Sequence, residues 1–179
     1  MQTVPVGSES GAATEPVTPD TFREFMSGYY TGVTVVTSVD AAGRPHGLTC
    51  NSLTSITLAP PTLLVCLHED CGTLAAVRES GVFAVHLLTE HGAETARTFA
   101  STADRFASVP WLPAPSTGLP VLTEHVFAVS QCAVADLLPF GDHWIVFGRV
   151  VNVRSHTQPP LLYGRRSFQS APVPAAPHR

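Results

Sequence analysis

Six or seven β-branched or alternating apolar runs follow one another along this chain, joined by turn residues. No regular strand-helix-strand alternation interrupts them. That ordering constrains the fold most. Consecutive strands with hairpin-type links pair antiparallel, whereas a doubly wound parallel sheet needs a helix after each strand. Gly32 to Val39 (GVTVVTSV) reads as a strand, and Asp40-Ala-Ala-Gly43 as a hairpin turn. His46 to Leu53 and Thr54 to Leu58 continue as extended chain until Pro60-Pro61 breaks it. Thr62 to His68 is unbroken apolar chain suited to a central strand, and Val82 to Leu88 is another strand. Phe127 to Leu137 and His143 to Val153 form long strands around a turn at Pro139-Phe140-Gly141-Asp142, and Leu161 to Phe168 adds a short edge.

Three short helices accompany the strands. Thr18 is placed as N-cap, with Pro19 at the first helical position and Asp20 in the first turn. Phe22, Phe25, Met26 and Tyr29 then form an apolar stripe. Gly72 to Ser80 has a face of Leu74, Ala75 and Val77 and a stop at Gly81, and His91 to Phe99 is weaker. Four prolines between 107 and 120 predict a long loop without regular structure. The expected architecture is mainly β: a closed or split barrel with a few short flanking helices, which fits the length and removes sheet edges. It spans 18–169, between a disordered N-terminal tail (1–17) and a flexible, Pro/Ala-rich C-terminal tail (170–179).

Charged residues are only 13% of the chain, about half the usual roughly 25%. A surface that poor in charge predicts an oligomer. Net charge is −4, which argues against a nucleic-acid partner. No apolar run of about 18 residues exists to cross a membrane, and the N-terminus lacks the pattern of a signal peptide. Cys50, Cys66, Cys71 and Cys132 form no CxxC pair, so neither a zinc site nor a disulfide framework is expected. A reducing cytoplasm follows as the expected location. No HxxxH, HExxH, GxSxG, GxGxxG or P-loop pattern occurs.

Three stretches are candidates for chemistry. Gly47 to Thr57 places Thr49, Asn51, Ser52, Ser55 and Thr57 within nine residues. Hydroxyls, an amide and free N–H groups of that kind cradle a phosphate or a heterocycle edge; the alternative is a wet strand face. In Gly141-Asp142-His143 the carboxylate either sets the imidazole tautomer or is simply a turn residue beside an exposed histidine. Asp104-Arg105-Phe106 holds a lone basic group that meets a phosphate or pairs with Asp104 or Glu94. His68-Glu69-Asp70-Cys71 reads as a polar loop, because adjacent residues of an extended chain point apart and do not close on one ion.

Together FREFMSGYYTGVTVVTS, GRPHGLTCNSLTSITLAPPTLLVCL, SGVFAVHLL, GDHWIVFGRVVNV and PLLYGRRSF, in this order, resemble the flavin reductase-like, FMN-binding split-barrel family over about residues 20–169. The narrower resemblance is to reductase components of two-component flavin-dependent monooxygenases. It implies a Greek-key-type split barrel, a homodimer, and hydride transfer from NADH or NADPH to FAD or FMN, with reduced flavin passed to a monooxygenase. On that pattern Thr49, Cys50, Asn51, Ser52 and Leu53 line the isoalloxazine and ribityl chain, largely through backbone groups. Ser55, with Ile56 alongside, reaches a flavin phosphate. Glu69, Asp70 and Cys71 belong to a loop approaching flavin, and Ala100, Ser101 and Arg105 close over the phosphate side. His143 stands near the nicotinamide. Cys50 departs from the Ala, Val or Ser common at its position, and the Pro-rich loop 107–118 is this chain's own. The alternatives are an FMN-retaining oxidase of the pyridoxamine-phosphate oxidase type and a non-enzymatic flavin-binding protein. The few Arg and Lys residues favour NADH over NADPH. The Ala, Gly and Pro bias points to a GC-rich bacterial genome, and specialised, antibiotic-type biosynthesis is the setting expected on top of that.

Overall fold

The computed structural model describes residues 16–101 and 104–171. Of the tails expected at 1–17 and 170–179, residues 1–15 and 172–179 lie outside the described residues. Helix α1 (Pro19–Ser27) starts as its sequence predicts, with Thr18 Oγ1 accepting from Thr21 N at 3.2 Å. None of its residues is buried, however, and Phe25 is 75% exposed. The apolar stripe therefore faces away from this chain's own core.

The strands that follow are β1 (Thr31–Gly32), β2 (Thr34–Val39), β3 (Pro45–Cys50), β4 (Thr54–Leu58) and β5 (Pro61–His68). Next come α2 (Gly72–Ser80), β6 (Val82–Leu88), α3 (Ala93–Ala100), α4 (Arg105–Ser108), β7 (Trp111–Pro113) and β8 (Pro120–Leu122). The chain ends with β9 (Val126–Phe140), β10 (His143–Ser155), β11 (Leu161–Gly164) and β12 (Ser167–Ser170). Seven strands form one sheet in the order β3-β2-β6-β9-β10-β5-β4, every neighbour antiparallel.

Four expectations are corrected. The segment 107–120 is not structureless: β7 and β8 pair antiparallel within it. A Pro-rich stretch can do this because β7 and β8 form a separate two-stranded ribbon with few ladder donors to supply. The Thr62–His68 run is second from the sheet edge and half-exposed along much of its length, not central. Ala59-Pro60 makes the turn of the β4–β5 hairpin through a cis peptide bond, and Pro61 does not break the chain but starts β5. In α2 the buried residues are Thr73, Leu74, Ala76 and Val77, while Ala75 is exposed, as a 3.6-residue period requires. The stop at Gly81 stands: it adopts φ +70° and returns its N–H to Val77 O at 2.9 Å.

Val36, Val65, Leu67, Phe83, Val85 and Val146 fill the barrel together with Leu74 and Val77 of α2. A second cluster, with Val35, Leu88, Phe99 and Leu122, holds α3 and β8 to the outside. The two outer strands of the sheet, β3 and β4, are consecutive in the chain, so residues 51–53 cross the seam where the barrel would close. There Ser52 stands in for a missing strand. Its Oγ accepts from Cys66 N at 2.8 Å and donates to Cys66 O at 3.3 Å, satisfying a main-chain pair that β4 does not reach.

Candidate functional site

The seam holds the site. Thr34 Oγ1 donates to Cys50 O (2.6 Å) and Thr49 Oγ1 to Ala96 O (2.6 Å), which pins the end of β3 between β2 and α3. With Ser52 engaged at Cys66, the three hydroxyls are structural. What they leave presented is main chain: the N–H groups of Asn51, Ser52 and Leu53 have no protein acceptor, and the exposed Asn51 amide has no partner. Three successive N–H donors on a braced loop can receive the oxygen and nitrogen edge of a planar heterocycle. The Cys50 thiol is buried, which pushes its pKa up, and burial pushes Cys132 up to about 11. Neither is a ready thiolate nucleophile.

Two residues beyond Cys66, on the same side of β5, lies His68. The register pairs it with His143 of β10, and the two imidazoles meet edge to face with centroids 5.3 Å apart. Two loops remote in sequence thereby become one surface. Glu69 N donates to Asp142 O at 3.0 Å, and Asp142 lies beside both histidines, 2.6 Å from His143 Nδ1 and 3.9 Å from His68 Nε2. The His143 hydrogen bond holds the Asp142 carboxyl below the usual carboxylate range. An ionised carboxylate only accepts, so His143 Nδ1 carries the proton and Nε2 is the nitrogen left to meet a ligand. Both alternatives for Asp142 are therefore realised: it is a turn residue, after Gly141 at φ +60°, and it sets the tautomer. Pro139 and Phe140, expected in that turn, still belong to β9.

The remaining predicted residues divide. Glu69 and Asp70 are exposed in the loop beside His143, and Cys71 caps α2 through a Sγ contact with Leu74 N (3.4 Å). Arg105 neither pairs with Asp104 nor reaches Glu94. Its Nε and Nη2 donate to Ser101 O, and Nη1 donates to Gly47 O at 2.5 Å, clamping the α3–α4 segment onto β3. Glu94 pairs instead with Arg97, and Asp104 caps α4. Ala100 is exposed at the end of α3. Ser55 and Ile56 lie exposed on β4, away from these contacts. Among the described residues no group of three potential ligands could hold a metal ion. Sequence reasoning set His68 aside in the polar loop His68–Cys71, and only the β5–β10 register brings it against His143.

The family model for the flavin reductase like domain matches residues 26–172. The chain is 48% identical over 153 residues to a flavin reductase (NADPH) of Lentzea aerocolonigenes, covering 85% of this chain and 89% of that protein. It is 44% identical over 161 residues to a flavin reductase (NADH) of Kitasatospora aureofaciens, covering 88% and 84%. A flavin-dependent monooxygenase reductase subunit, HsaB, of Rhodococcus jostii (strain RHA1) is 33% identical over 165 residues, covering 91% and 83%. The solved structure of Streptomyces globisporus C-1027 NADH:FAD oxidoreductase SgcE6, in complex with NAD and FAD fragments, superposes with TM-score 0.81. It is 31% identical and covers 90% of this chain and 99% of that one.

Proposed function

The chain belongs to the flavin reductase-like domain family, and on that premise we propose that it is an NAD(P)H:flavin oxidoreductase whose flavin ring lies on the 51–53 seam. The seam fits that ring. Three free N–H donors and an unpartnered Asn51 amide match its carbonyl and ring-nitrogen edge, and no protein acceptor competes for them. This is the observation that carries the reading. When bound, flavin would supply the redox chemistry as acceptor of the hydride that NADH or NADPH gives up.

The chain's own residues bind, orient and stabilise. The N–H groups of 51–53 meet the negative charge that grows on the heterocycle edge during reduction. Thr34, Thr49 and Ser52 hold those donors still, so little reorganisation accompanies the step. His143, oriented by Asp142, offers Nε2 to the nicotinamide carboxamide. Hydride transfer of this kind requires no general base.

Relatives that are reductase subunits of flavin-dependent monooxygenases support release of reduced flavin to such an oxygenase. Specialised, antibiotic-type biosynthesis is the proposed setting. The described residues contain four free cysteines and no helix long and apolar enough to cross a membrane, which supports a cytoplasmic location. Phe22, Phe25, Tyr29, Leu58 and Phe140 are all exposed, supporting a homodimer that covers some of them. Sedimentation at micromolar concentration should give twice the 19.0 kDa chain mass. A single-chain mass would contradict the dimer.

The test of function is NADH and NADPH oxidation at 340 nm with and without added FAD or FMN. The expected result is turnover that rises and saturates with free flavin, with higher kcat/KM for NADH. Turnover independent of added flavin would instead favour an oxidase that retains FMN. Flavin binding without turnover would favour a non-enzymatic flavin-binding protein.

A further inference from the structure

His143 keeps one tautomer only while the Asp142 carboxylate stays in place, and that carboxylate is 72% exposed, where water competes for both oxygens. Oδ1 is engaged by His143 Nδ1 at 2.6 Å. Oδ2 faces a second imidazole, His68 Nε2, at 3.9 Å. The other nitrogen of the His68 ring fixes its proton. Nδ1 accepts from Asp70 N at 3.2 Å, and the Asp70 carboxylate stands further off, at 4.0 Å. A neutral ring that accepts at Nδ1 carries its hydrogen on Nε2, so His68 turns an N–H toward Asp142. The carboxylate thus lies between two imidazole N–H groups, one on the side of each oxygen. The His143 hydrogen bond does most to hold its pKa down, and the nearby His68 acts in the same direction. The two rings meet edge to face, 79° apart, so His143 does not swing toward β5 without displacing His68. Main-chain bonds steady both loops: Cys71 N donates to His68 O at 3.1 Å, and Glu69 N to Asp142 O at 3.0 Å.

Resting on the flavin reductase reading above, we infer that His68 is a positioning residue for the nicotinamide side of the site. It steadies Asp142, and through Asp142 it sets the tautomer of His143 and the direction in which Nε2 points. The geometry separates this role from that of a loop brace, because the two nitrogens of His68 do different work. Nδ1 closes the turn at Asp70, whereas Nε2 faces Asp142. Asparagine keeps the acceptor for Asp70 N but does not reach Asp142. Glutamine reaches Asp142 with an amide N–H but gives up the acceptor at Asp70.

The experiment compares wild type with His68→Ala, His68→Asn and His68→Gln, each verified by its melting curve. Long-range proton–nitrogen NMR correlation of the imidazole rings, in protein without flavin or NADH, reads the tautomer of His143 directly. Wild type and His68→Gln should show hydrogen on Nδ1 of His143 alone, while His68→Ala and His68→Asn should show a mixture of both tautomers. Steady-state turnover with saturating FMN should follow the same division. His68→Ala and His68→Asn should raise the KM for NADH about fivefold, His68→Gln should stay near wild type, and FMN affinity should not move. In an Asp142→Asn background His68→Ala should have little further effect, because the charge it steadies is already gone. The assignment is overturned if His68→Ala leaves both the His143 tautomer and the KM for NADH as they were, or if its effect adds in full to that of Asp142→Asn. It is equally overturned if His68→Asn behaves as wild type and His68→Gln does not, since the residue would then only brace the turn. Loss of FMN affinity in His68→Ala with the KM for NADH unchanged overturns it too, in favour of a flavin contact. A wild-type protein that does not oxidise NADH with either flavin removes the reductase reading instead, and the NMR arm still decides whether His68 governs His143.

Discussion

Between pH 7 and pH 4 the fold is expected to lose about 3 kcal/mol of stability through His86 alone. This imidazole is fully buried and wired at both nitrogens. Nδ1 donates to Val35 O at 3.0 Å, and Nε2 accepts from Leu122 N at 3.2 Å. It therefore joins β2 and β8 through β6, but only while neutral, since a proton on Nε2 removes the acceptor that Leu122 needs. Burial pushes its pKa down to about 4 from an ordinary 6.5, and the Arg154 charge works in the same direction. The sign follows from that direction. The unfolded chain binds the proton more readily, so stability is complete above about 6.5 and falls as the pH drops toward 4. Asp40 and Asp142 are held below the usual carboxylate range, Asp40 chiefly by the Arg44 N–H. Their contributions fade only at lower pH, which leaves the window between 6.5 and 4 to the histidine. Urea midpoints of wild type and His86→Asn, taken at pH 7 and pH 4.5, give the comparison. Wild type should lose stability steeply across this range, and His86→Asn should start lower and change much less. Parallel declines would show that His86 is not the titrating group.

Replacing His143 by alanine should lower kcat/KM for NADH about tenfold, the equivalent of roughly 1.4 kcal/mol for one hydrogen bond accepted at Nε2. Flavin affinity measured without NADH should not move, because the seam donors belong to residues 51–53. Asp142→Asn should give a smaller loss, since the amide still touches Nδ1 but no longer dictates which nitrogen is protonated. If His143→Ala left both KM and kcat for NADH as they were, the nicotinamide role would be withdrawn.

Much of this architecture was legible beforehand because it is local. The Thr18-Pro19-Asp20 start, the Gly81 stop and the Asp40–Gly43 turn each depend on a few neighbouring residues. The long β9–β10 hairpin was visible in its apolar alternation, although its turn proved to be only Gly141 and Asp142. The β7–β8 pair was not legible, because proline content argues against strands unless the ladder partner is known. The α1 stripe was read correctly as a helix face, but a pattern of apolar residues does not say whose core they cover.

The same division holds at the site. Residue order and side-chain chemistry by themselves determined the antiparallel barrel, the polar run around Asn51 and the Asp142–His143 pair, because each rests on spacing within a short segment. Only the tertiary structure decided the rest: that Ser52 closes the seam against Cys66, that His68 meets His143, and that Arg105 clamps backbone. Those facts depend on strand register and on how α2 and α4 dock. Register and docking are set by the summed burial of side chains far apart in the chain, which no local pattern encodes.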